Sequence, residues 1–223
     1  MWSGVGWTFG GLIAAAFLLR LITPVFDLRR RDALRRIVKD GADALREGGV
    51  DYWCDFGTLL GLHREHDIIL GDKDADFCVL APEKDRLLSL RDAFAKRGLD
   101  IEEVKDRKGG LLRILDRTSP HYIDVYLFER EGDLLRSVLN SPHENVPERL
   151  VTPRALSPFL GGHVMAPIDA LGLLVHRYGP DFMTPRRNDK GRSRPYNPIR
   201  SFAEDIEHTC IGIWGLVRLR RAR

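Results

Sequence analysis

Asp72, Asp74 and Asp76 occupy alternate positions, so in an extended chain their carboxylates project from one face of one strand. Two carboxylates about 4 Å apart repel by roughly 4 kcal/mol at an effective dielectric near 20, and a bound cation relieves that repulsion. Hard, oxygen-seeking Mg2+ suits such a set, with Mn2+ as the alternative ion. It takes one or two protein carboxylates, keeps waters and fills its other positions with phosphate oxygens. Asp124, in a separate strand-like segment, offers a further carboxylate from across a sheet. Upstream, Gly57-Thr58 breaks a strand-like run into a turn whose backbone N–H groups and Thr58 hydroxyl can meet phosphate. These residue types describe metal-assisted phosphoryl chemistry. Two other readings compete for the alternation. One is a solvated edge strand or acidic turn. The other is calcium, but the spacing lacks the glycine and the glutamate that complete an EF-hand loop.

The elements that must hold these residues can be read from periodicity. Leu34, Ile37, Val38, Ala42 and Leu45 recur at helical spacing among charged residues, and Gly48-Gly49 ends the pattern. Val50 to Phe56 reads as a strand and Thr58 to His63 as a short helix. Ile68 to Leu70 and Ala75 to Leu80 read as strand segments on either side of the aspartates. Past Pro82 a helix over Glu83 to Arg97 carries Leu87, Leu90 and Phe94 on one face. Leu111 to Leu115 and Tyr122 to Phe128 form a hairpin joined by Asp116 to His121. Within it Ile123, Val125 and Leu127 alternate with Tyr122, Asp124 and Tyr126, so Asp124 lies opposite the aliphatic face. Asn140 to Pro158 reads as loop-rich, Pro167 to Tyr178 as a helix and Arg186 to Pro198 as polar and turn-prone. The expected class is α+β, helices around a small sheet.

A chain of 223 residues allows one catalytic domain with appendages. Lys and Arg total 35 against 32 for Asp and Glu, a balance that speaks against a general nucleic-acid binder. Cys54, Cys78 and Cys210 show no paired zinc spacing, and reduced thiols suit a cytoplasmic setting. His63, His66, His121, His143, His163, His176 and His208 are scattered without a ligand spacing. Trp2 to Leu19 carries no charge, and Arg20, Arg29, Arg30 and Arg31 follow it. That pattern reads as a single membrane-spanning helix with the rest of the chain in the cytoplasm, against the alternatives of an interfacial helix or one packed on the protein. The end, from Cys210, mixes Ile211, Ile213 and Trp214 with Arg218, Arg220, Arg221 and Arg223, which fits either an anionic membrane surface or a last helix packed on the domain. The expected division is an anchor over 1–26, a catalytic domain over 27–209 and a basic amphipathic tail over 210–223.

The stretch from Asp55 through Gly57-Thr-Leu-Leu-Gly61 and Arg64 to Asp72-Lys-Asp-Ala-Asp76-Phe77 resembles the signature of the LicD family, which includes the fukutin-related proteins. A second, weaker likeness lies in Arg177-Tyr-Gly-Pro-Asp-Phe-Met-Thr-Pro185. The resemblance implies a nucleotidyltransferase-like fold. It also implies transfer of a phosphorylated alcohol, such as phosphocholine or ribitol phosphate, from a CDP-linked donor to a glycan or glycolipid hydroxyl. By the same likeness Asp74, Asp76 and Asp124 would hold the metal, and Gly57 and Thr58 would contact donor phosphate. Asp72 would act as outer support or general base, Arg64 would pair with a phosphate, and Arg177 and Tyr178 would meet donor or acceptor. The sequence departs from the family pattern at Leu70-Gly71, where Pro-Trp is frequent, and at Phe182, where Trp is frequent. Two alternatives accompany this reading: nucleotidylation of a hydroxyl acceptor, and a catalytically silent membrane adaptor that keeps the fold.

Overall fold

In the computed structural model, which describes residues 28–185 except 106 and 108, the first amphipathic pattern forms helix α1 over residues 28–47. Its apolar face, Leu34, Ile37, Val38, Ala42 and Leu45, is fully buried. Gly41 shows what that face meets: a Cβ there would lie 2.8 Å from Ile123 Cδ1 and 3.9 Å from the Phe77 ring. The helix therefore lies close against one side of the sheet. The expected anchor 1–26, the segment 186–198 and the tail 210–223 lie outside the described residues. Among the described residues no helix is long and apolar enough to cross a membrane.

The sheet contains β1 (Tyr52–Cys54), β2 (Ala75–Leu80), β3 (Leu99–Glu103), β4 (Leu111–Asp116) and β5 (Tyr122–Glu131) in the order β1-β2-β5-β4-β3. It is extended from β5 by β6 (Leu134–Ser137) and β7 (Val146–Pro147). β2 and β5 are parallel, and every other pairing is antiparallel, so the sheet is mixed. The expected α+β class with a mixed sheet is borne out. Alternation sends Phe77, Ile123 and Val125 toward α1, leaving Asp76, Asp124 and Tyr126 on the opposite face.

Between β2 and β3 the chain runs through a 3-10 turn at Ala81–Glu83, α3 (Lys84–Ser89) and α4 (Arg91–Ala95), where one helix over Glu83 to Arg97 was expected. The break falls at Leu90, whose backbone leaves the helical region at ψ 12 while its methyls press on Gly48 at the end of α1. Leu87 and Phe94 are buried as the pattern required.

Four local expectations are corrected. The first strand ends at Cys54, because Asp55 caps helix α2 (Phe56–Arg64). Ile68 to Leu70 does not form a strand. It enters a turn in which Asp72 N–H donates to the Ile69 carbonyl (3.1 Å) and Gly71 takes φ +96. Asp72 and Asp74 therefore precede β2, and Asp76 alone of the three lies on the strand. The segment read as loop-rich contains β7 and most of β8 (Arg154–Phe159), which pairs with β9 (Gly162–Pro167) as a separate hairpin. That hairpin docks on β1: Met165 N–H donates to the Tyr52 hydroxyl (3.2 Å), and the Arg154 guanidinium lies 4.6 Å over the Trp53 ring. Helix α5 spans Ala170–Tyr178 rather than starting at Pro167, because Asp169 accepts from Gly172 N–H (3.0 Å) as its cap.

Candidate active site

Asp76 and Asp124 stand directly side by side in the β2–β5 register, near the starts of two parallel strands. Helix α2 begins beneath them. Gly57 N–H donates to Asp76 Oδ2 (3.2 Å), and the Thr58 hydroxyl oxygen accepts from Asp76 N–H (2.8 Å). Thr58 is buried, so its oxygen pins the strand at the aspartate. Asp72 arrives by the Gly71 turn rather than by strand alternation. A Cβ on Gly57 would lie 3.0 Å from Asp72 Oδ2 and 3.4 Å from Asp76 Oδ2, so the two carboxylates converge over the one residue that leaves room for them. Asp74 contributes its charge to the same place and is among the groups that raise both Asp76 and Asp124.

Burial first, then the crowding of Asp74, Asp124 and Asp72, holds the Asp76 carboxyl well above the usual range. Burial pushes Asp124 up to about 6, with Asp74 adding to the rise and Arg113 opposing it. A pair of carboxylates in this condition has the donor chemistry to hold a cation. Among the described residues no group of three or more His, Cys, Asp and Glu side chains is closed into a metal cage. Mg2+ commonly asks for only one or two protein carboxylates, which Asp76 and Asp124 supply.

Asp55 is a residue that periodicity alone left without a role. Its buried carboxylate receives Arg177 Nε (3.1 Å) and Nη2 (2.6 Å), Trp53 Nε1 (3.3 Å) and Phe56 N–H (2.7 Å). Arg177 also donates Nη1 to the carbonyls of Glu144 (2.6 Å) and His143 (3.3 Å). Expected near substrate, Arg177 thus has most of its donors on the protein itself. Its guanidinium lies 4.4 Å over the Phe56 ring, which also meets the Tyr126 ring at 5.2 Å. Phe56 needs this grip because its φ is +46, in the left-handed region that a bulky residue avoids. The strained turn places Gly57 N–H at Asp76.

Arg64 sits at the far end of α2, with Nε on Glu65 (3.0 Å) and Nη1 on the Phe182 carbonyl (3.4 Å), tying that helix to the segment after α5. Tyr178, half-buried at the end of α5, has its phenol raised by burial and then by the charges of Asp76, Asp55 and Asp72. Sequence reasoning missed Arg113. It faces Asp124 directly in the β4–β5 register and donates Nε to Asp124 Oδ1 (2.7 Å). Its position opposite Asp124 in the expected hairpin was the available signal.

Residues 49–169 match the family described as LicD/FKTN/FKRP, nucleotidyltransferase domain. The chain is 29% identical over 157 residues to ribitol 5-phosphate transferase FKRP of Homo sapiens, covering 66% of this chain and 31% of that protein. It is 25% identical over 148 residues to uncharacterized protein RT0683 of Rickettsia typhi, covering 66% and 45% respectively. The chain thus spans about a third of the first relative's length and under half of the second's. The crystal structure of ANT(2")-Ia in complex with adenylyl-2"-tobramycin aligns over 83% of this chain and 93% of that one, at 16% identity and a TM-score of 0.43, a likeness too distant to carry any reasoning.

Proposed function

Because the chain belongs to the LicD/FKTN/FKRP family and carries its nucleotidyltransferase domain, we propose that it transfers a phosphorylated alcohol from a CDP-linked donor to a hydroxyl of a glycan or glycolipid. Ribitol phosphate and phosphocholine are the alcohols of choice in this reading. The observation that carries it is the in-register pair Asp76 and Asp124 above the Gly57 turn. Asp76 and Asp124 would hold a divalent cation, Mg2+ or Mn2+, with Asp74 contributing charge beside them. That ion would neutralise the donor's diphosphate and the charge developing on the leaving CMP.

The remaining work falls to side chains of this chain. The acceptor oxygen attacks the distal phosphorus in line, the new O–P bond forms as the bond to CMP breaks, and the acceptor's proton passes to Asp72 Oδ2. Asp72 suits that task because its half-exposed carboxylate lies next to Asp76. Tyr178, which feels the charges of Asp76 and Asp72, would orient substrate, while Asp55 and Arg177 keep the Gly57 turn in shape. Most of the acceleration comes from positioning and charge neutralisation rather than from covalent chemistry. The uncharged run from Trp2 to Leu19 and the arginines after it set this reaction at a membrane surface in the same proposal.

The test is turnover of CDP-ribitol and CDP-choline by the full chain, with and without Mg2+, read as CMP release. Asp76→Asn and Asp124→Asn abolish release in this reading. A product that retains the nucleotide, or no metal-dependent turnover by the unaltered chain, would falsify it.

A further inference from the structure

The side of the site away from Asp76 carries a cation that has donors to spare. Arg113 is locked by Nε to Asp124 Oδ1 (2.7 Å), and its guanidinium lies 4.6 Å over the Tyr122 ring. The side chain is only 11% exposed, against 8% for that of Asp124. Among the described residues neither Nη group has a protein acceptor, and neither is sealed from solvent without a partner. One edge of a planar fork is therefore fixed by a carboxylate and a ring, and the other edge is open.

A diphosphate entering here meets Asp72, Asp74, Asp76 and Asp124, and a single divalent ion does not offset four carboxylates and a phosphate group together. A second cation is needed. Arg177 is spent on Asp55 and two carbonyls, and Arg64 on Glu65 and the Phe182 carbonyl. Arg113 is hydrogen-bonded directly to a site carboxylate, Asp124, on which Arg107 acts through its charge. Resting on the transferase reading above, we propose that Arg113 binds the donor's phosphate through Nη while Nε holds Asp124, making it a substrate-contacting residue. Guanidinium geometry matches a phosphate edge, and a fork already immobilised by Asp124 and Tyr122 loses little freedom on binding.

Inorganic pyrophosphate in Mg2+ is the probe, titrated calorimetrically into the full chain, with Mn2+ alone followed separately by electron spin resonance. Arg113→Gln weakens pyrophosphate binding about 10- to 100-fold, the weight of charge-assisted hydrogen bonds, and leaves the Mn2+ midpoint within about threefold. Arg113→Lys keeps the charge without the fork and falls between the two. Unchanged pyrophosphate binding in Arg113→Gln overturns the proposal. So does an equal loss of pyrophosphate and Mn2+, which would make Arg113 only a support for Asp124. Should the glutamine variant not fold, the lysine variant decides, and wild-type pyrophosphate affinity in it refutes the fork. Failure of the unaltered chain to bind either probe sinks the transferase reading as well, whereas failure confined to Arg113 leaves that reading standing.

Discussion

Replacing Arg177 by methionine keeps the length of the side chain and removes its charge. Four hydrogen bonds disappear: two to Asp55 at 3.1 and 2.6 Å, and two to the carbonyls of His143 and Glu144. The side chains of Arg177 and Asp55 are 2% and 0% exposed, so water cannot replace the lost partner. Breaking one half of such a buried pair costs about 3–5 kcal/mol, chiefly because the remaining charge is left uncompensated. Against a domain stability on the order of 5–15 kcal/mol the variant still folds. With a urea slope of about 2 kcal/mol/M its unfolding midpoint falls by roughly 1.5–2.5 M. Arg177→Met combined with Asp55→Asn removes both charges, so the pair costs less than the sum of the single changes by about 2 kcal/mol. Equilibrium urea unfolding of the four proteins measures all of this. A loss below about 1 kcal/mol for Arg177→Met, or strict additivity, refutes the description of a buried, mutually dependent pair. The same variant also loosens Phe56, so its Mn2+ affinity falls along with its stability.

Gly57→Ala separates function from folding. Within α2 an alanine favours the helix by about 1 kcal/mol over glycine, but its Cβ lies 3.0 Å from Asp72 Oδ2 and displaces the acidic pair. The melting temperature holds while metal affinity drops on the order of 10-fold or more; intact Mn2+ binding would sink the assignment. The pH dependence of the cation-free protein has a definite sign. Asp124 is raised from 3.8 to about 6 and Asp76 well above its ordinary value, so the folded state keeps protons that the unfolded chain has released. That contribution, roughly 3 kcal/mol for Asp124, is fully present below about pH 4 and is lost as pH rises through about 6. Melting curves from about pH 4 to 8 therefore slope downward without a divalent ion, and Mg2+ restores stability above about pH 6. A flat profile that Mg2+ leaves unaltered contradicts the paired-carboxylate site.

Local pattern was enough for much of the fold. The apolar face of α1, the Leu111 to Phe128 hairpin and helix α5 follow from side-chain periodicity, which depends only on residues a few positions apart. β3 alternates at Leu99, Asp100, Ile101 and Glu102 but escaped because it is only five residues long and Asp and Glu are poor strand formers, and the β8–β9 hairpin escaped because Leu156 and Pro158 blur the alternation that marks a strand. Ile68 to Leu70 misled for the opposite reason. Its apolar side chains suit a strand, but Gly71 at φ +96 turns the chain.

The site divides along the same line. By itself the sequence determined which residues carry charge and where a glycine opens the turn: Asp72, Asp74, Asp76, Asp124 and Gly57 are legible from type and spacing. It also determined the family. Only the tertiary structure decided the partnerships, because these depend on strand register and chain reversal rather than on sequence distance. The parallel pairing of β2 with β5 sets Asp76 beside Asp124 across 48 residues, and β4 sets Arg113 opposite Asp124. The packing of α5 sends Arg177 across 122 residues to bury its charge against Asp55. The alternating aspartates do not share a strand; Asp72 reaches Asp76 through a left-handed glycine turn, over a residue that has no side chain to obstruct it.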